Sequence, residues 1–203
     1  KKTLQLLENS NDSTRISLAL RNTARVFTET QQLDSAIYYF QEAIKMATPE
    51  SISSLQNDLG SLYLKTGQYK EAYDCIQKSL RTCSNPHLQY HLYLTYGEYL
   101  LKTTQYDSAG YYLNQSLQSP NIYTQVGSLY YLAQIERQKS DITNYFRYWD
   151  QYEQLRDSID EDSHYENIRM VQSMFNYQHI ADEKIKYEKE AAQRMIIIYQ
   201  ILI

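Results

Sequence analysis

Small and apolar residues recur at nearly constant intervals along this chain of 203 residues. Ala24, Gly60, Gly97 and Ala133 lie 36, 37 and 36 residues apart. Three further sets keep this register: Ala36, Ala72, Ala109 and Tyr145; Phe40, Ile76, Leu113 and Trp149; and Ala43, Ser79, Ser116 and Tyr152. A repeat of this length is typical of helical hairpins that bury their apolar faces against neighbouring hairpins. The pattern therefore predicts an all-α solenoid of about four helical hairpins.

The second unit shows how one hairpin is assembled. Gly60 and Tyr63 share a face of a first helix, and Ala72 and Ile76 share a face of a second. Small side chains let the two helices approach closely, so we expect the alanines of the second helices to be buried at helix crossings. Gly67 lies between the helices, where it can adopt the left-handed conformation that ends many helices.

Prolines separate the units. A proline fits the first turn of a helix, and Ser, Thr and Asn favour the capping position before it. The sequence therefore predicts that helices begin at Pro49, Pro86 and Pro120, after the caps Thr48, Asn85 and Ser119.

These positions resemble the tetratricopeptide repeat (TPR). The second unit carries the motif most fully: Leu59-Gly60-x-x-Tyr63-x-x-x-Gly67-x-Tyr69-x-x-Ala72-x-x-x-Ile76-x-x-Ser79-Leu80. The resemblance covers residues 12–157 and implies a TPR-like right-handed α-solenoid. The fourth unit departs from the motif, since Tyr145 and Tyr152 replace small residues and Glu136 replaces an apolar one. Such a unit suits the end of an array.

Two other segments flank the repeats. In residues 1–11, Leu4 and Leu7 have the spacing of the end of a preceding repeat helix. Residues 158–203 predict a long C-terminal helix, continuous from 163 to about 194, because helix formers predominate and Pro and Gly are absent. The apolar run Met195–Ile203 is too short to span a bilayer, but it would suit the first half of a truncated transmembrane segment. Exposed, it would instead favour self-association as a homodimer.

Composition and motifs favour a binding protein. The net charge of -4 disfavours a nucleic-acid partner. The chain has no Gly-rich phosphate loop, no Gly-x-Ser-x-Gly elbow and no Cys-x-x-Cys pair, so we expect neither catalysis nor a cofactor. His87 and His91 could share a helix face, but they lack the Glu of a zinc hydrolase motif and an obvious third ligand. No metal site is therefore predicted.

The TPR resemblance implies that a partner binds on the concave face lined by the first helices. The candidate partner-binding residues are Arg21, Arg25, Asn57, Lys65, His91, Leu94, Lys102, Tyr130, Gln134 and Arg137. The implied surface as a whole holds five basic residues and only two acidic ones. The excess predicts a groove for a peptide or protein segment with acidic side chains, the alternative being a solvated face with a chance charge excess. Arg21 and Arg25 stand where chaperone-binding TPR clamps carry Lys and Asn, so chaperone C-termini are not expected ligands.

The organisation of the whole chain suggests a biological context. TPR repeats, a long helix and an apolar run together resemble the TPR sensor region of bacterial membrane-anchored regulators. This resemblance implies a protein-interaction scaffold or sensor domain outside the inner membrane. The basic residues before Met195 favour the cytoplasmic side instead, which leaves both locations open. The 22 tyrosines support an alternative function, small-molecule or oligosaccharide binding on a Tyr-rich surface.

Overall fold

The computed structural model describes residues 13–160, and helices joined by short turns make up this range. Seven helices follow one another: α1 (Ser13–Glu29), α2 (Leu33–Lys45), α3 (Pro49–Lys65), α4 (Tyr69–Thr82), α5 (Pro86–Lys102), α6 (Tyr106–Ser116) and α7 (Ile122–Lys139). Residues 142–160 are helical as well. The described residues fall into one unit over 13–153 and a second that begins at Gln154. The predicted all-α solenoid is confirmed over the described range.

The helices of the first unit pack as hairpins. α1 packs against α2, α3 against α4 and α5 against α6, and the first helices α3, α5 and α7 also contact one another in succession. Ala36, Ala72 and Ala109 are each 0 % exposed, which confirms that they are buried. The core therefore runs through each hairpin and continues into the next.

Glycines mark two of the closest helix contacts. A Cβ atom added to Gly97 would lie 2.6 Å from Cγ of Leu113, and one added to Gly60 would lie 3.0 Å from Cγ1 of Ile76. Any larger side chain would push the two helices of the hairpin apart. The repeat register predicted from the small residues is thus the register of the packing.

A left-handed residue ends the first helix of every repeat. The four residues are Gln31 (φ 59°), Gly67 (φ 74°), Thr104 (φ 63°) and Ser140 (φ 62°). The prediction for Gly67 is confirmed, whereas the residue types at the other three positions do not indicate a left-handed conformation.

A hydrogen bond across the turn helps to hold this conformation in the first three repeats. The bonds run from Gln32 Nε2 to Thr30 Oγ1 (3.3 Å), from Gln68 Nε2 to Thr66 Oγ1 (3.0 Å) and from Gln105 Nε2 to Thr103 Oγ1 (3.1 Å). The glutamine side chain thus closes the turn around the left-handed residue, so a glycine is not required there.

Two of the three predicted helix starts are confirmed. α3 begins at Pro49, where Thr48 and Ser51 form a reciprocal capping box. α5 begins at Pro86, where the side chain of Asn85 accepts a hydrogen bond of 2.9 Å from the backbone N–H of His87.

The third predicted start is wrong. α7 begins at Ile122, because the Asn121 side chain accepts from the backbone N–H groups of Tyr123 and Thr124 and so caps the helix. Ser119 accepts from the N–H of Asn121 instead, at 3.1 Å. The serine therefore orders the loop before the cap.

Several predictions fall outside the described residues. These are the helix end in 1–11, most of the long helix in 158–203 and the apolar run Met195–Ile203 with its association. Within residues 13–160, no helix combines the length and the apolar character that a membrane crossing needs.

Candidate functional site

Four cationic side chains follow one another along the first helices, and we call them the cation row: Arg21, Arg25, Lys65 and Lys102. An aspartate anchors the first two. Arg21 Nε donates to Asp58 Oδ2 at 2.8 Å, and a terminal nitrogen of Arg25 lies 3.5 Å from the same oxygen. The Asp58 side chain is only 12 % exposed, while that of Arg25 is 58 % exposed. The carboxylate thus lies beneath the guanidinium groups and fixes their positions.

Glu98 is a second largely buried carboxylate, and it pairs with Lys102 of the cation row. Its Oε1 lies 3.8 Å from Lys102 Nζ, and its side chain is 14 % exposed. Burial raises the pKa of Glu98, while a hydrogen bond with the Tyr131 hydroxyl and the charges of Lys102 and Lys65 oppose this shift. The Glu98 carboxyl group therefore interacts with the charges of both Lys65 on α3 and Lys102 on α5.

A small cavity opens beside the first half of the cation row. Its volume is about 160 Å³, and it is lined by Arg25, Thr28, Glu29, Phe40, Asp58, Ser61, Leu62, Lys65 and His91. It brings together three of the predicted partner-binding residues, one from each of the helices α1, α3 and α5. Charged and hydroxyl side chains make its wall a site for a small polar group.

His91 contributes an imidazole to this first cavity. Desolvation lowers its pKa; Asp58 opposes the shift and Arg21 adds to it. Because the residue as a whole is exposed, water screens these interactions. A neutral imidazole at neutral pH can both donate and accept a hydrogen bond.

A second, larger opening lies at the other end of the row, and we call it the tyrosine cavity. Its volume is about 310 Å³, and it is lined by Leu101, Lys102, Tyr106, Tyr130, Tyr131, Gln134 and Gln138. It also brings together three predicted residues: Lys102, Tyr130 and Gln134. Lys102 therefore belongs both to the cation row and to this cavity.

The remaining predicted partner-binding residues line neither cavity. Asn57 is 1 % exposed, and neither polar atom of its amide has a hydrogen-bond partner among the described residues, so it is not part of the exposed surface. Leu94 packs towards α7, since a Cβ added to Gly127 would lie 2.9 Å from Leu94 Cδ2. Arg137 is exposed near the end of α7 and lines neither cavity. Of the other cations, Arg25 and Lys65 line the first cavity, Lys102 lines the tyrosine cavity, and Arg21 pairs with Asp58.

Asp58 and Glu98 are the residues whose role the sequence did not reveal. Neither residue is among the candidate partner-binding residues predicted from the sequence. An acidic residue one position after Asn57 gave no signal of pairing, since its partners lie on another helix. Among the described residues, no group of three His, Cys, Asp or Glu side chains could hold a metal ion.

Comparison with known proteins supports the assignment of the repeats. Residues 53–86, which contain most of α3 and all of α4, match the family model described as tetratricopeptide repeat. Among curated proteins, none matches this sequence.

Solved structures share the fold at low sequence identity. BtubC (BKLC) from P. vanneervenii has a TM-score of 0.60 at 12 % identity, over 73 % of this chain and 66 % of that one. MamA has a TM-score of 0.57 at 10 % identity, over 79 % and 88 %. PilF from Pseudomonas aeruginosa has a TM-score of 0.52 at 23 % identity, over 70 % and 62 %. The chain thus spans about two thirds of the length of BtubC, and these similarities show the fold alone.

Proposed function

Because this chain carries the tetratricopeptide repeat, we propose that it is a non-catalytic scaffold that binds an acidic peptide or protein segment along its first helices. Repeats of this kind generally bind proteins or peptides. Support for an acidic ligand comes from one observation, the arrangement of the cation row above half-buried carboxylates.

For a ligand that approaches this surface, the exposure of each charged side chain matters more than the number of basic and acidic residues. Asp58 and Glu98 are largely covered, whereas Arg25 and Lys65 are exposed and Lys102 is 37 % exposed at its side chain. A ligand approaching from solvent therefore meets cations first, and Glu29 is the exposed acid that opposes them at the first cavity. Complementary charge of this kind favours encounter with acidic segments and discriminates against basic ones.

A binding assay with charge-reversal variants tests this proposal. A short fluorescein-labelled Glu-rich peptide should bind the chain, and its affinity should fall between about 0.05 M and about 0.5 M salt because exposed charges are screened. The double variant Arg25→Glu/Lys65→Glu should weaken binding by at least about tenfold.

A control variant with the same net charge distinguishes binding at this site from nonspecific electrostatic attraction to the chain. Lys70 and Lys78 are exposed on the second helix α4 and line neither cavity, so Lys70→Glu/Lys78→Glu should retain most of the affinity. Equal losses in both double variants, or binding that does not depend on salt, would contradict a defined acidic-ligand site.

We also propose that this binding region belongs to a membrane-anchored bacterial regulatory protein. The support is the order of three features in the sequence: the repeats, the predicted long helix and the apolar run Met195–Ile203. The intact protein should remain with the membrane fraction after a carbonate wash, and its release by that wash would contradict the anchor.

A further inference from the structure

We propose that the tyrosine cavity is a second subsite, which takes an aromatic side chain of the same acidic peptide that the cation row binds. This inference rests on the proposed function and adds a second recognition element to it. The ligand would then be a peptide that carries an acidic residue and an aromatic residue at a defined separation.

The walls of the cavity fit an aromatic ring. Tyr106, Tyr130 and Leu101 supply apolar surface, and Gln134 adds an amide. Its volume, about 310 Å³, is twice that of the first cavity and lies near the lower end of the range for pockets that enclose a ligand. Aromatic rings favour edge-to-face or offset contacts with other rings, and the Lys102 ammonium can add a cation–π contact.

The cavity is held in shape before any ligand arrives. The Tyr130 ring lies 5.7 Å from the ring of Tyr152 and 6.5 Å from that of Trp149, measured between centroids. Tyr131 is fixed from the other side by its hydrogen bond with Glu98. A preorganised wall loses little conformational entropy when a side chain enters, which favours binding.

Continuity with the cation row favours a peptide as the occupant. Lys102 lines the cavity and pairs with Glu98, whose charge also interacts with Lys65 of the first cavity. A ligand lying along the first helices would therefore pass from one cavity to the other without leaving the positively charged surface.

The helix geometry sets the expected spacing in the ligand. His91 of the first cavity and Leu101 of the tyrosine cavity are ten residues apart on α5, which corresponds to about 15 Å along the helix axis. An extended peptide covers this distance in about four or five residues. We therefore expect the aromatic side chain to follow or precede the acidic one by that number of positions.

A peptide series tests the spacing directly. Each peptide carries a Glu pair and a single Trp placed about two, five or eight residues away on either side, and a matched peptide carries Ala in place of Trp. We expect the Trp at about five residues to raise the affinity about tenfold over the Ala peptide, and the other positions to have little effect.

A filled cavity provides the structural check. Gln138 lines the cavity and is exposed, so Gln138→Trp should occupy the space and abolish the gain in affinity that the peptide Trp gives over the Ala peptide. Gln115→Trp places the same side chain on exposed surface of α6, away from the cavity lining, and should keep the gain.

The outcomes separate this inference from the proposed function. Salt-sensitive binding of the Ala peptide with no gain from Trp at any position would overturn the subsite and leave the acidic-ligand proposal standing. Absence of binding by every peptide would overturn both. Displacement of the Trp peptide by a neutral oligosaccharide such as maltotriose, with an effect lost in Gln138→Trp, would assign the cavity to a sugar and also overturn the inference.

Discussion

At the scale of single residues, the fold depends on where a side chain is absent. Gly60 and Gly97 allow the two helices of a hairpin to approach until a Cβ would meet a core side chain. Gly110 is different, because an added Cβ there would meet no atom within 4 Å. The same residue type therefore serves packing at two positions and weakens a helix at a third.

Substituting alanine at two of these glycines should have opposite effects. Gly97→Ala places a methyl group 2.6 Å from Leu113 Cγ, in a core that must shift to accept it, and should lower the free energy of unfolding by about 1–3 kcal/mol. Gly110→Ala should raise it by about 0.5–1 kcal/mol through helix propensity alone. Urea denaturation of both variants checks this, and a destabilised Gly110→Ala would contradict the open space beside that position.

At the scale of elements, the turns of the first three hairpins share one design in which only the second uses glycine. Their backbone conformation is left-handed at the middle residue, and a Thr and a Gln on either side are joined by a hydrogen bond. A β-branched residue such as Thr104 is strained in this conformation. The hydrogen bond between Gln105 and Thr103 thus helps to hold Thr104 in a backbone conformation that a threonine disfavours.

Thr104→Gly should relieve this strain. We expect the free energy of unfolding to rise by about 1 kcal/mol, because glycine adopts a positive φ without the clash that other residues suffer. Thr103→Gly is the matched control: its φ is -96°, and its hydroxyl bonds to the Tyr99 carbonyl at 2.9 Å, so the substitution should destabilise the chain. Urea denaturation of both variants distinguishes them, and stabilisation by both or by neither would show that strain at Thr104 is not significant.

Predictions from the sequence were correct where neighbouring residues in the chain determine the structure. They were wrong or missing where contacts between helices determine it. Small residues at fixed intervals revealed the register because only they permit the observed helix approach. The start of α7 was wrong because Ser119 and Asn121 can both cap a helix, and only the fold selects one of them. The left-handed Thr104 gave no signal, since its residue type argues against that conformation.

The residues of the candidate site, like the helices, could be predicted from the sequence only in part. The TPR resemblance implied that Arg25, Lys65 and His91 lie on neighbouring first helices, and all three line one cavity in the structure. The burial of Asn57 and the pairing of Asp58 with Arg21 depend on how far successive hairpins rotate, which a single repeat does not encode. Charge counting from the sequence therefore predicted an excess of basic residues but not the largely buried carboxylates of Asp58 and Glu98 that pair with them.

At the scale of the whole first unit, stability is distributed along the array. Each hairpin contacts its neighbours in the chain, so a change in one hairpin weakens its own packing and the interfaces beside it. α1 and α2 have a hairpin on one side within the described residues, whereas α3 and α4 have one on both sides. The position of a substitution should therefore determine how far its effect spreads.

Hydrogen exchange should reveal this difference when the same substitution is made at two equivalent alanines. Ala36 and Ala72 are both 0 % exposed, so Ala36→Phe and Ala72→Phe each overpack a helix crossing and should cost about 1–3 kcal/mol. In Ala36→Phe, faster amide exchange should be concentrated in α1 and α2, while α6 and α7 keep their protection. In Ala72→Phe, exchange should accelerate on both sides of α4.

Asp74→Phe adds the same ring at an exposed position of α4 and should leave amide exchange and the melting temperature nearly unchanged. An unaltered melting temperature in Ala72→Phe would contradict the repeat register, and a uniform loss of protection in Ala36→Phe would show that the array unfolds as a single cooperative unit.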